Sequence, residues 1–181
     1  MFFSIDTLLY LCNTSKLKRM QLEIERKYLV LEDMRQLAVR QTEIRQGYLS
    51  LAPDRSVRVR LTDHEGYLTV KGISRNAGLT RMEWEKKLDR KEALDLFELC
   101  LPGAIEKTRY YIPYGRHTIE LDVFKGDNAG LLLAEVELKS EHDVFDKPAW
   151  FGAEVTGQTR YYNAYLSKHP FCSWTQQQET T

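Results

Sequence analysis

Cysteine and histidine are too few and too scattered to build a site in this chain. Cys12, Cys100 and Cys172 lie far apart and are odd in number. With no C-x-x-C pair they exclude a disulfide framework, and they fit a reducing cytoplasm. His64, His117, His142 and His169 fall into no H-E-x-x-H or comparable spacing, so a histidine metal centre has no support. Excess charge of one sign is missing too, because 26 Lys+Arg face 26 Asp+Glu. That balance excludes a broad electrostatic pull toward nucleic acid or a membrane, while leaving room for a site where the two signs are locally separated. There is no internal repeat, no low-complexity linker and no apolar run long enough to span a bilayer. The apolar front, MFFSIDTLLYLC, is interrupted by Asp6, and its basic residues follow it rather than precede it as a signal peptide requires. The expected organisation is a disordered N-terminal extension at 1–19, one domain at 20–170 and a flexible tail at 171–181.

What is present is alternation. Segments 22–30, 43–50, 56–62, 66–71, 80–88, 105–113, 117–124 and 131–139 carry period-2 patterns. Turn residues separate most of them, as at Asp63-His64-Glu65-Gly66, Tyr114-Gly115 and Gly126-Asp127-Asn128. Eight strands with short links make a mainly β (α+β) chain with an antiparallel meander, sandwich or barrel. Helices are few. Residues 89–101 have Asp89 as a cap and Pro102-Gly103 as a stop, and 33–39 and 159–168 are two shorter candidates.

The charges obey the same period. Glu23, Glu25 and Lys27 share one side of their strand. So do Arg58 and Arg60; Thr69 and Lys71; Glu83, Glu85 and Lys87; Lys107 and Arg109; Glu120 and Asp122; and Glu135, Glu137 and Lys139. Only 43–50 lacks a strong charged row. A single row of this kind is ordinarily the wet face of a sheet. Here the rows are segregated by sign, with acid at 22–30, 117–124 and 131–139 and base at 56–62, 66–71 and 105–113. If the sheet closes with its charged side inward, one wall is acidic and another basic. A carboxylate cluster free of histidine and cysteine suits a hard cation such as Mg²⁺ or Mn²⁺. An arginine-rich cluster suits phosphate. Facing each other, the two walls suggest a metal–polyphosphate complex.

Glu23-Ile24-Glu25-Arg26-Lys27 matches the E-x-E-x-K signature of the CYTH superfamily, the triphosphate tunnel metalloenzymes. QGYL (46–49), VRVR (57–60), LTVKG (68–72), EWEKKL (83–88), KTRY (107–110), ELDVF (120–124) and AEVELKS (134–140) resemble the family in order, as does GAEVTGQTRYYNAYL at 152–166. The resemblance covers residues 20–168 and implies a closed eight-stranded antiparallel barrel forming a hydrophilic tunnel, with a C-terminal helix at one end. It implies metal binding by Glu23, Glu25, Asp122, Glu135 and Glu137, and substrate binding by Lys27, Arg58, Arg60, Lys71, Lys107 and Arg109. Glu120 shares the parity of Asp122 but is less firmly placed by the motif. Glu83 is expected to line the tunnel, and Glu85 and Lys87 are the catalytic candidates. The implied activity is divalent-metal-dependent hydrolysis of a triphosphate, most similar to the inorganic tripolyphosphatases among short bacterial chains. Adenylate cyclase, thiamine triphosphatase and a non-catalytic polyphosphate or nucleotide binder remain as alternatives. The expected partner is a small triphosphate, without nucleic acid or membrane, for a cytoplasmic monomer or homodimer.

Overall fold

The computed structural model describes residues 21–52 and 54–174. The expected extension at 1–19 lies outside them, as does the tail from 175 on.

Nine strands form one antiparallel sheet: β1 (Gln21–Val30), β2 (Arg40–Ala52), β3 (Arg55–Leu61), β4 (Gly66–Arg75), β5 (Thr80–Leu88), β6 (Ile105–Tyr114), β7 (His117–Phe124), β8 (Leu132–Glu137) and β9 (Phe151–Glu154). The order is β5-β4-β3-β2-β6-β7-β8-β1-β9, and β1 also pairs with β5. That pairing, through Glu23↔Arg81 and Ile24↔Thr80, closes the first eight strands into a barrel. Further along β1, β9 takes over the edge that β5 leaves, pairing at Tyr28↔Glu154 and Val30↔Phe151. The ninth strand was not expected, since four residues are too few to show alternation.

The barrel is apolar outside and charged through the middle of its interior. Ile24, Tyr28, Ile112, Ile119, Leu121, Ala134 and Val136 point outward into one core with Trp150 and Phe151. Ile105, Phe124, Leu131 and Leu133 form a second with Val155 and Leu166. Val59, Leu61 and Leu88 form a third beneath Ala93 and Phe97. The first and third cores therefore lie between the barrel wall and the segments wrapped around it, whereas Ile105, Phe124 and Leu133 share the inward parity of Lys107, Asp122 and Glu135, so the second core lies on the inner side at one end of the barrel. Each fully buried Leu or Ile among them contributes about 1.5–3 kcal/mol.

Helix α1 (Arg90–Phe97) supplies that third cover, and Asp89 caps it by accepting from the Lys91 N–H at 2.9 Å. It stops four residues short of the expected 101. Leu99 and Cys100 make tighter bonds back to Leu96 and Phe97, and the Leu101 N–H turns away to Tyr48 O. The candidate at 33–39 is only a 3₁₀ turn at Arg35–Leu37. The candidate at 159–168 resolves into a 3₁₀ turn at Thr159–Tyr161 and one helical turn, α2 (Asn163–Leu166). Packing also continues past residue 170, where the tail was expected to begin. Phe171 and Trp174 lie against the second core, and the Phe171 N–H donates to Asn128 Oδ1 at 2.9 Å. Among the described residues, no helix is long and apolar enough to cross a membrane.

Candidate active site

Alternation in each strand sends one row of side chains inward, and the rows meet around a cavity of about 280 Å³. β1 supplies Glu23, Glu25 and Lys27; β3 supplies Arg58 and Arg60; β4 supplies Lys71; β5 supplies Glu83 and Glu85. β6 adds Lys107 and Arg109, β7 adds Glu120, and β8 adds Glu135 and Glu137. The volume sits just below the roughly 300–1,000 Å³ usual for drug-sized ligands, which suits a compact polyanion. A second cavity of about 410 Å³ shares Ile44 and Arg60 with the first and continues past Arg40, Thr62, His64 and Tyr111.

Two of the expected site residues stand elsewhere. Asp122 shares the inward parity of Glu120 but has no exposure at all. Its Oδ1 accepts from Arg109 Nε at 2.7 Å, while Oδ2 accepts from Arg109 Nη2 at 2.7 Å and from Lys107 Nζ. With both oxygens engaged it sits behind the lining, where it orients two cations. Lys87 lies at the end of β5, with its side chain 62% exposed and paired with Glu65, and does not reach the cavity. The parity was right, but the strand runs past the rim.

The remaining charges interlock. Glu23 accepts from Lys71 at 2.8 Å and from Arg81 Nε at 3.0 Å. Burial pushes its carboxyl up, but these two cations outweigh burial and hold it at about 2. Lys27 pairs with Glu135 at 2.7 Å, and Glu135 also accepts from Arg109 Nη2 at 2.6 Å. Burial would raise Glu135, yet Lys27, Arg109 and Lys107 hold it well below the usual carboxylate range. Glu85 accepts from Arg60 Nη2 at 2.9 Å and from Thr69 Oγ1 at 3.0 Å, which sets the angle of the arginine row.

Two places are out of balance. Glu137 is pushed up first by burial and then by Glu23, Glu83 and Glu25. Arg60 is pushed down first by burial and then by Arg58. Both Arg58 Nε and Arg60 Nε are buried without a hydrogen-bond partner among the described residues. A surplus of carboxylate calls for a cation, and unspent guanidinium N–H groups call for an anion. No three acidic side chains among the described residues converge closely enough to hold a metal ion as they stand, because lysine and arginine are interposed.

Sequence reasoning missed Arg81, Gln46, Tyr48, Tyr162 and Asn163, all of which line the cavity. Arg81 shares the parity of Glu83 and Glu85, so the same period could have found it. Gln46 and Tyr48 belong to the one row without charge. Tyr48 is 5% exposed, and its hydroxyl accepts from Gln46 Nε2 at 3.4 Å.

The model of the CYTH domain matches residues 21–168. The chain belongs to the CYTH family. An inorganic triphosphatase of Acetivibrio thermocellus is 44% identical over 150 residues, which cover 82% of this chain and 95% of that protein. An inorganic triphosphatase of Nitrosomonas europaea is 38% identical over 157 residues, covering 80% and 96% respectively. The crystal structure of an inorganic triphosphatase superposes with a TM-score of 0.58 at 34% identity, covering 80% of this chain and 93% of that one. The CYTH match begins at Gln21 and ends at Lys168, so it takes in the complete barrel, β9 and the short helix α2.

Proposed function

We propose that this CYTH chain hydrolyses a linear triphosphate, in the first place inorganic tripolyphosphate to pyrophosphate and phosphate, with Mg²⁺ or Mn²⁺. The observation that carries this reading is the cavity inside the barrel, in which Lys27, Arg58, Arg60, Lys71, Lys107 and Arg109 face Glu23, Glu25, Glu120, Glu135 and Glu137. The family membership and the activity named for both relatives support it. Arg58 and Arg60 offer buried N–H groups already desolvated and still unspent, the arrangement that best stabilises charge developing on phosphoryl oxygens. Asp122 and Glu85 hold Arg109, Lys107 and Arg60 in place, so little reorganisation is needed when substrate arrives. A phosphate chain competes with Glu23 for Lys71 and Arg81, and drawing them away releases carboxylate for the cation. Glu137, with its surplus of negative neighbours, is the carboxylate that gains most from one. Glu23, Glu25, Glu135 and Glu137 would hold the metal, which when bound neutralises phosphate charge and activates water. Burial also raises Glu120, making it a more ready proton acceptor than a free carboxylate.

The test is phosphate release from tripolyphosphate, ATP, thiamine triphosphate and pyrophosphate, each with Mg²⁺ and Mn²⁺. Metal-dependent release from tripolyphosphate is expected, with a loss of about 100-fold or more in a folded Glu23→Gln, Glu25→Gln variant. Full turnover in that variant, or cyclic AMP from ATP without phosphate release from tripolyphosphate, would overturn the reading.

A further inference from the structure

Arg60 stands where the two cavities meet, since it lines both. Glu85 holds one end of its guanidinium, accepting from Nη2 at 2.9 Å, while Nε is buried without a partner among the described residues. One such bond leaves a long side chain much of its rotamer freedom. A ring limits that freedom. Tyr67 is the partner of Arg60 across the β3–β4 ladder, so both side chains lie on the inner face. The Arg60 guanidinium carbon lies over the Tyr67 ring, 4.9 Å from its centroid, inside the roughly 6 Å reach of a cation–π contact.

The ring is itself held from behind. The Tyr67 hydroxyl donates to Glu65 Oε2, and Glu65 Oε1 accepts from Lys87 Nζ. Glu65 closes the β3–β4 turn, where its N–H donates to Thr62 Oγ1 at 3.1 Å and its O accepts from the Thr62 N–H at 2.9 Å. Gly66, between Glu65 and Tyr67, passes so close beneath α1 that a Cβ there would lie 2.1 Å from Ala93 Cβ, on a residue with no exposure. The strand is thus seated under the helix, and the ring is tied at its outer tip. The bond to Glu65 pushes the hydroxyl up to about 12, so it stays a donor and is no base at neutral pH. The Lys87–Glu65 pair is exposed and weak, which leaves the ring as the working part.

We propose that Tyr67 is a positioning residue: its ring holds the Arg60 guanidinium at the junction of the two cavities, so that its unspent N–H groups stay with the central cavity and do not swing into the larger one. Tyr67 acts through Arg60 and need not touch phosphate. This inference rests on the triphosphatase reading for its substrate class, but its test reads binding as well as turnover.

Calorimetry on the full chain follows tripolyphosphate binding by wild type, Tyr67→Leu, Tyr67→Phe, Arg60→Ala and the Arg60→Ala, Tyr67→Leu double variant, with phosphate release measured on the same set. Tyr67→Leu is expected to weaken binding about three- to tenfold. Tyr67→Phe, which keeps the ring, should restore most of that loss. In the Arg60→Ala background Tyr67→Leu should cost nothing further, because the group it positions is gone. Leu and Phe both lose the bond to Glu65 and should both melt below wild type, so a role confined to stability would follow melting temperature and not the ring. Wild-type affinity in Tyr67→Leu, an equal loss in Tyr67→Phe, or the full loss repeated without Arg60 overturns the inference. Binding by wild type without phosphate release would count against the triphosphatase reading alone, and absence of binding would overturn both.

Discussion

Arg109 with Asp122 and Lys91 with Asp95 are the same kind of pair in opposite surroundings. Lys91 and Asp95 sit one helical turn apart on α1 at 2.7 Å, with side chains 83% and 67% exposed. Water solvates each almost as well alone as together, so their attraction is largely screened. Asp122 is fully buried behind the tunnel wall and meets Arg109 through two bonds of 2.7 Å, with Lys107 on the same carboxylate. There each charge depends on the others, because none has water to turn to. The contrast teaches that this protein's charges matter by depth and not by number. Outside they keep the surface wet. Inside they set the position of the groups that meet a ligand.

The sharpest way to break the comparison is Asp122→Asn. It leaves Arg109 and Lys107 buried beside a neutral amide, and should cost about 3–5 kcal/mol, read as a fall in the urea midpoint. A loss no larger than that of a surface pair would mean that water reaches this cluster. Acid is next. Glu23 carries its carboxyl at about 2 in the fold against an ordinary 4.5, so its stabilisation is complete above about pH 4.5 and is lost as pH falls toward 2. The amount is at most about 3–4 kcal/mol. Urea midpoints measured from pH 6 to pH 2.5 should therefore fall less steeply in Glu23→Gln than in wild type; parallel curves would show that Glu23 is not the group being titrated. The smallest effect belongs to the surface, where Asp95→Ala should change stability by no more than about 0.5 kcal/mol. A larger change in the same denaturant measurement would give α1 an electrostatic role that its exposure denies.

Much of the tunnel was legible because parity survives closure. Glu23, Glu25 and Lys27 line one wall for the reason that they alternate, and Arg58 and Arg60 line another. Parity assigns a face but neither depth nor reach. It could not tell that Arg109 would spread over Asp122, nor that Lys87 would pass the rim. Arg81 stood in a readable row and was overlooked beside the acidic pair that follows it. Tyr48 and Gln46 carry no charge to mark them, and Asn163 reaches the cavity only through a loop docking that no local pattern encodes. The helices were overestimated because capping residues show where a turn starts, while its end was set by competing bonds such as that from Leu101 to Tyr48.

The position of β1 bears on how the chain comes together. Among the described strands it comes first in sequence, yet its partners are β5, β8 and β9, and the Lys27 N–H finds Thr156 only 129 residues later. The two runs β2–β5 and β6–β8 can each zip up between neighbours as they emerge, whereas β1 must wait unpaired through most of synthesis. An exposed strand of that length is a template for aggregation unless something discourages it. Glu23, Glu25, Arg26 and Lys27 do so: a strand crowded with charge stays soluble and resists pairing with a stranger until the barrel that needs it is ready to close.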